Sequence, residues 1–151
     1  MFGPRHLIVL LACALLLGCG GGGGGGAVAV KTVELPGYGT VLADAQDQPL
    51  YLLSSDPKDS TKCTGDCTKE WQPLTAKDPG AGKGASADML KTFKREDGAE
   101  QVAYNGHALY TYIRPDAGKG AGAGVKQDGG GTWYLVDPKG EAIETTAAGG
   151  Y

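Results

Sequence analysis

Apolar and polar positions alternate in short runs over most of this chain, and the runs are separated by turn residues. Val41-Leu42-Ala43-Asp44 and Leu50-Tyr51-Leu52-Leu53 flank Ala45 to Pro49, which predicts a hairpin. Gln101-Val102-Ala103-Tyr104 and His107 to Tyr112 flank Asn105-Gly106. Asn-Gly supplies the two positive φ angles of a type I′ turn, the strongest short-range hairpin signal. Phe93-Lys94-Arg95 precedes a tight turn at Glu96-Asp97-Gly98, and Trp133 to Val136 runs into Asp137-Pro138-Lys139-Gly140 before a last strand at Glu141 to Glu144. Ser86 to Thr92, with Asp88 near its start, is the single stretch that predicts a short helix. The pattern predicts a mainly β fold: a small antiparallel β domain built of hairpins, over residues 33–146, with a tail at 147–151.

Two stretches break the alternation. Asp78 to Ala87 is rich in Pro, Gly, Ala and Lys and predicts an exposed loop. Arg114 to Gly131 is glycine-rich and has no aromatic residue, so it predicts disorder rather than a closing lid.

The start of the chain follows another logic. Leu7 to Leu17 is an apolar run of eleven residues after a lone cation, Arg5, and Gly18 stands directly before Cys19. Such a run is too short to span a bilayer, which takes about 20 apolar residues. Charged start, apolar core and small residue at the cut describe a secretory signal. Leu16-Leu17-Gly18-Cys19 reads as a bacterial lipobox, with residues 1–18 removed. Diacylglycerol on the Cys19 thiol and a fatty acyl group such as palmitate on its amine would give the stable two-signal anchoring that one chain cannot. Gly20 to Gly26 are seven consecutive glycines, so residues 19–32 predict a flexible tether, whose glycine run spans roughly 15 Å. Residue 20 is not Asp, so in a Gram-negative cell the destination is the outer membrane; otherwise it is the outer face of the cell membrane.

Removing the signal takes Arg5 with it, so Lys plus Arg falls from 14 to 13 against 17 acids. An acidic chain without a basic cluster argues against nucleic acid as a partner. The expected partners are the membrane, through the lipid anchor, and an envelope ligand.

With Cys13 removed and Cys19 acylated, Cys63 and Cys67 are the two cysteines left. A matched pair outside the cytoplasm reads first as a disulfide. Closing so small a loop stabilises by about 2 kcal/mol. Redox chemistry is the second reading, and a metal site with His107 the third, with Met89 the only other soft donor. No cofactor is expected beyond the lipid. His107, directly after the Asn-Gly turn, reads as a surface hairpin residue. Asp44, Asp56, Asp97 and Asp116 lie beside turns and read as caps on their own backbone. Tyr51, Trp71, Tyr104, Tyr110, Tyr112 and Trp133 form the aromatic set, read first as core and second as a binding face. There is no G-x-S-x-G and no second histidine for a triad in the processed chain, so no catalytic residues are assigned.

Two segments look alike: Leu50-Tyr51 to Asp56, and Leu109-Tyr110-Thr111-Tyr112 with its Asn-Gly turn. With Cys63-Thr64-Gly65-Asp66-Cys67, Trp71-Gln72-Pro73-Leu74 and Trp133-Tyr134, the chain resembles bacterial lipoproteins with a Tyr-x-aromatic-x-x-Asp motif, the secreted repeat of unknown function. Leu53 stands where that motif has an aromatic, Asp116 lies six residues after Tyr110, and Trp71-Gln72-Pro73 replaces Trp-Pro-Pro. The resemblance implies a secreted β lipoprotein and brings no chemistry with it. The functional expectation is a non-catalytic binding or structural module of the cell envelope. The alternative is an envelope redox, electron-transfer or metal-handling accessory using Cys63 and Cys67.

Overall fold

Two antiparallel hairpins, one in each half of the chain, set the architecture. In the first, β1 (Val28–Leu35) pairs with β2 (Gly39–Ala43), and Thr32 faces Leu42. The first half continues with β3 (Tyr51–Leu53), the one-turn helix α1 (Cys67–Glu70), β4 (Trp71–Pro73) and β5 (Gly80–Ala81). In the second hairpin β6 (Leu90–Lys94) pairs with β7 (Glu100–Tyr104), and Thr92 faces Val102. After it come β8 (His107–Ala108), β9 (Tyr110–Tyr112), β10 (Trp133–Val136) and β11 (Ala142–Ile143). The computed structural model describes residues 26–114 and 116–145. The signal peptide, Cys19, nearly all of the glycine run and the tail at 147–151 lie outside the described residues.

The strands form sheets of order β2-β1-β5, β11-β10-β3-β9-β4 and β6-β7-β8. All pairings are antiparallel except the short one of β1 with β5. The central sheet carries a pseudo-twofold relation. Tyr51 of β3 faces Tyr110 of β9 at its middle. On one side Trp133 faces Leu53 and Leu135 faces Tyr51; on the other Trp71 faces Tyr112 and Pro73 faces Tyr110. Each half therefore gives one strand to the other half: β4 pairs with β9, and β10 pairs with β3. The hairpins obey the same relation: the Leu50 amide donates to the Leu42 carbonyl, and the Leu109 amide to that of Val102.

Because side chains alternate along a strand, β3 feeds two cores. Tyr51 and Leu53 join Leu35, Val41, Cys63, Trp71, Tyr110, Trp133 and Leu135 on one face. Leu50 and Leu52 join Val30, Leu42, Val102, Tyr104, Leu109 and Val136 on the other. Burial on both faces is why β3 reads as a continuous apolar run rather than an alternating one.

The Asn105-Gly106 hairpin forms as expected, with φ of 50° and 82° at its two central residues. The turn at Asp137 to Gly140 and the return strand also form. Four expectations need correction. Residues 28–32, given to the tether, belong to β1, because Val30 is wholly buried against the second core. The helix expected at 86–92 is a single 3-10 turn, Ala87–Met89, after which Leu90 enters β6; cross-strand pairing with β7 overrides the local preference. The helix that does form is α1. The loop at 78–87 contains β5, whose Gly80 is buried where a Cβ would fall on the Gly26 carbonyl.

The fourth correction is the glycine-rich stretch. Residues 114 and 116–131 are folded onto the aromatic core rather than disordered: the Gly124 amide donates to the Trp133 carbonyl at 2.8 Å, and the Trp133 amide to that of Val125 at 2.9 Å. Gly122 is buried, with a Cβ there placed 2.6 Å from the Trp71 ring. Glycine here allows backbone to lie on an indole, which composition alone does not reveal. The 41–53 hairpin closes only at Ala43 and Pro49, beyond which β3 leaves for the central sheet.

The strand exchange predicts that neither half folds alone. The full chain is expected to unfold in one cooperative transition. A chain cut between β5 and β6 should show no near-ultraviolet circular dichroism from ordered aromatic rings, and an ordered half chain would contradict the exchange.

Candidate functional site

The pairing of β3 with β9 and the exchange of β4 and β10 bring five of the six candidate aromatic residues together. Trp71 stacks on Trp133 with centroids 3.9 Å apart and planes 6° from parallel. Tyr112 stacks on the other side of Trp71 at 4.2 Å. Tyr51 meets Trp71 edge-on at 5.3 Å, and Tyr110 meets Trp133 edge-on at 4.9 Å. These geometries suit the ring quadrupoles and add about 0.5–1.5 kcal/mol per pair beyond burial. Trp71 is 2% exposed, and Trp133, Tyr51 and Tyr110 are 0% exposed, so their faces are occupied by one another. Tyr112 alone of the five is half-buried. Tyr104 stands apart in the second core, where its hydroxyl donates to the Pro138 carbonyl and accepts from the Ser86 amide.

Beside the aromatic stack lies a buried polar network. The Tyr110 hydroxyl donates to Asp56 Oδ2 at 2.6 Å and also contacts Thr61 Oγ1. Asp56 Oδ1 accepts from the Lys62 amide at 2.7 Å. Arg95, only 6% exposed, donates from Nη1 to Gln101 Oε1 at 2.6 Å and from Nη2 to the Cys63 carbonyl at 2.8 Å. Gln101 Nε2 donates to the Leu109 carbonyl at 2.9 Å. Arg95 Nε has no hydrogen-bond acceptor; Asp97 Oδ2 lies 3.6 Å away.

Burial raises the Asp56 carboxyl above its ordinary value, against the lowering effect of the Tyr110 hydroxyl, the Lys62 amide and the Arg95 charge. Tyr110 is raised by burial and then by the neighbouring Asp56 charge. Tyr51 is pushed up to about 12, chiefly by burial, although the Gly122 amide favours its ionised form.

The pseudo-twofold relation shows how the polar network arose in the sequence. Val33 faces Val41 in the first hairpin, and Phe93 faces Gln101 in the second. Leu35 and Val41, both buried, thus correspond to Arg95 and Gln101. The chain reading passed over Arg95, Gln101 and Thr61. Aligning Lys31-Thr32-Val33-Glu34-Leu35 with Lys91-Thr92-Phe93-Lys94-Arg95 exposes the polar residues in apolar slots. One Tyr–Asp pair forms, and it crosses between segments: Asp56 of the first serves Tyr110 of the second. On the opposite side Tyr51 is met by backbone, the Gly122 amide donating to its hydroxyl at 3.3 Å. Asp116 turns instead to Lys119 at 3.2 Å.

Cys63 and Cys67 are joined by a disulfide, with Cα atoms 5.3 Å apart. Neither therefore offers a thiolate to a metal. Among the described residues no group of three or more His, Cys, Asp or Glu could hold a metal ion. His107 is half-buried beyond the Asn-Gly turn, facing Tyr104. That is the end of β7 away from Arg95 and Cys63, about 13 Å along the strand. Asp44 caps its turn, Oδ1 accepting from the Gln46 and Gln48 amides at 2.9 Å, and Asp97 accepts from the Ala99 amide.

Exchanged strands, paired tyrosines and a shared indole stack define a two-repeat all-β domain. The chain belongs to the family described as a secreted repeat of unknown function, whose model matches twice, at residues 32–75 and 91–137. The two matches cover β1 to β4 and β6 to β10, the halves related by the pseudo-twofold. That family implies an extracellular or envelope location; among the described residues no helix is long and apolar enough to cross a membrane. No curated protein and no solved structure matches the chain.

Two predictions follow from the polar network. Arg95→Leu and Gln101→Val each leave buried groups unpaired and should destabilise the fold by about 2–4 kcal/mol. The double variant restores the apolar pair of the first hairpin, so urea unfolding should find it more stable than either single variant; additive losses would refute the coupling. The second concerns pH. Asp56 is raised in the folded state, so its stabilising contribution is full below the ordinary carboxylate value of about 3.9 and is lost as pH rises through the folded value. Asp56→Asn, which keeps an acceptor for Tyr110, should remove that decline from a stability profile taken through the acidic range. An unchanged slope would assign it to another group.

Proposed function

We propose that this protein is a lipid-anchored, non-catalytic binding or structural module of the bacterial cell envelope. The chain is cut before Cys19, the Cys19 thiol carries diacylglycerol, and its amine carries a fatty acyl group. Residues 19–27 then act as the tether, because β1 starts at Val28. The domain faces outward and meets an envelope component as its partner, with no cofactor and no nucleic acid.

One observation carries this reading: the aromatic residues and the Tyr110–Asp56 pair, the best chemical material in the chain, are consumed by the contact between repeats. Asp56 Oδ2 holds the Tyr110 hydroxyl, and Trp71 and Trp133 cover one another. A half-buried carboxylate whose two oxygens are held by the Tyr110 hydroxyl and the Lys62 amide serves the contact between repeats rather than acting as a base toward a substrate. The lipobox supplies the address, and the family's description as a secreted repeat agrees with it.

The test has two arms. Full-length protein made in a bacterial host should incorporate labelled palmitate and sediment with membranes, and Cys19→Ala should do neither. Screening the purified protein against ester, peptide, glycosidic and phosphate substrates should give no turnover. Turnover abolished by Asp56→Asn would overturn the non-catalytic reading, and palmitate retained in Cys19→Ala would overturn the anchor.

A further inference from the structure

The two sulfurs of the disulfide have unequal surroundings. Cys63 is 1% exposed and belongs to the aromatic core. Cys67, the first residue of α1, is half-buried and lines a surface cleft of about 400 Å³ with Asp66, Lys69, Glu70, Gln127 and Asp128, floored by Trp71. Gln127 Oε1 lies 3.6 Å from Cys67 Sγ while accepting from Trp133 Nε1 at 2.9 Å. A disulfide sulfur carries no hydrogen, so the first is a contact and only the second a hydrogen bond. Cys67 thus lines the cleft, whereas Cys63 lies in the core and does not.

We propose that Cys67 is a thiol–disulfide exchange site, entered through this cleft by a cationic or cation-flanked thiol, with Cys63 as the leaving sulfur. The incoming thiolate attacks Cys67 Sγ and forms a mixed disulfide. The Cys63–Cys67 bond breaks, and its electron pair leaves on Cys63 Sγ as a thiolate. With a dithiol reductant, the second thiol then displaces Cys67, giving two reduced cysteines and an oxidised dithiol; two electrons and two protons pass to the protein.

Two features of the site favour this direction. The leaving thiolate forms on the residue whose carbonyl accepts from the buried Arg95 guanidinium, and a nearby cation lowers a leaving thiol's pKa and speeds its departure. The cleft selects by charge. Asp66 is paired with Lys69 and Glu70 with Arg114, but among the described residues Asp128 is exposed and in no ion pair. Its unbalanced charge at the cleft disfavours an anionic thiol and favours a cationic one.

Exchange is stoichiometric and independent of the module reading, which the palmitate and turnover measurements test separately. The full-length protein in detergent is exposed briefly, under native conditions, to cysteamine, mercaptoethanol or thioglycolate. It is then quenched, alkylated with N-ethylmaleimide and mapped by peptide mass. The expected result is a thiol adduct on Cys67 and maleimide on Cys63. Per thiolate, and normalised to the same thiols on urea-unfolded chain, cysteamine should react about fivefold or more faster than thioglycolate. Asp128→Asn should narrow that ratio without changing the circular dichroism of the fold. Adducts on Cys63, reaction confined to unfolded chain, or no charge preference would overturn the proposal.

Discussion

Trp71 against Trp133 is the contact on which the arrangement of the chain depends. Each indole sits at the start of a strand that its own repeat lends to the other, and the two rings meet at 3.9 Å beside the pseudo-twofold. Burying two indoles against each other is among the largest apolar contributions a small domain can make. It requires both exchanged strands to be in register. Tyr51 and Tyr110 then fall opposite one another and close the edges of the stack. The chain between β9 and β10 must also cross Trp71 closely, which Gly122 permits. A stretch that looks unstructured by composition is thus fixed by the surface it covers.

The two repeats share a backbone plan and differ in what they bury. On one side Leu35 and Val41 line the core; on the other Arg95 and Gln101 fill the matching positions and bind each other. Burying an arginine is costly unless its donors are satisfied. Here one nitrogen reaches Gln101 and another the Cys63 carbonyl, which draws the disulfide loop onto the second repeat. The apolar side has no such charge and is covered by the glycine-rich segment instead. Polar divergence at two buried positions therefore accompanies two different closures over one scaffold.

The strands and most turns were legible in the chain because period-two patterning and turn chemistry are local. Asn105-Gly106 and the Asp137 turn needed no tertiary information. The likeness of Leu50-Tyr51 to Leu109-Tyr110 also revealed the repeat. What the chain could not display was exchange: nothing local in Trp71-Gln72-Pro73 says that it pairs with Thr111 rather than with its own repeat. The short helix expected at 86–92 failed for the same reason, since pairing with β7 decided it. The aromatic residues, read first as core, are buried there, but by partners far along the sequence that no local pattern names. Arg95 was hidden because a lone basic residue before a turn is ordinarily solvated.

The spacing of the Tyr…Asp motif acquires a physical meaning from this exchange. Tyr51 and Asp56 are close in sequence, yet Asp56 accepts its hydrogen bond from Tyr110. The motif thus places an acceptor in one repeat for the hydroxyl of the other, and a single repeat would leave the Tyr110 hydroxyl without a partner and Asp56 Oδ2 without its donor. An unpaired buried hydroxyl or carboxylate costs a few kcal/mol, which penalises any half-assembled state. The second copy shows the limit of that rule. Asp116 lies one residue further from its tyrosine and turns to Lys119, so the Tyr51 hydroxyl is met by the Gly122 amide. The requirement is a partner for each buried tyrosine across the repeat boundary, and either a carboxylate or a backbone amide of a glycine-rich segment can supply it.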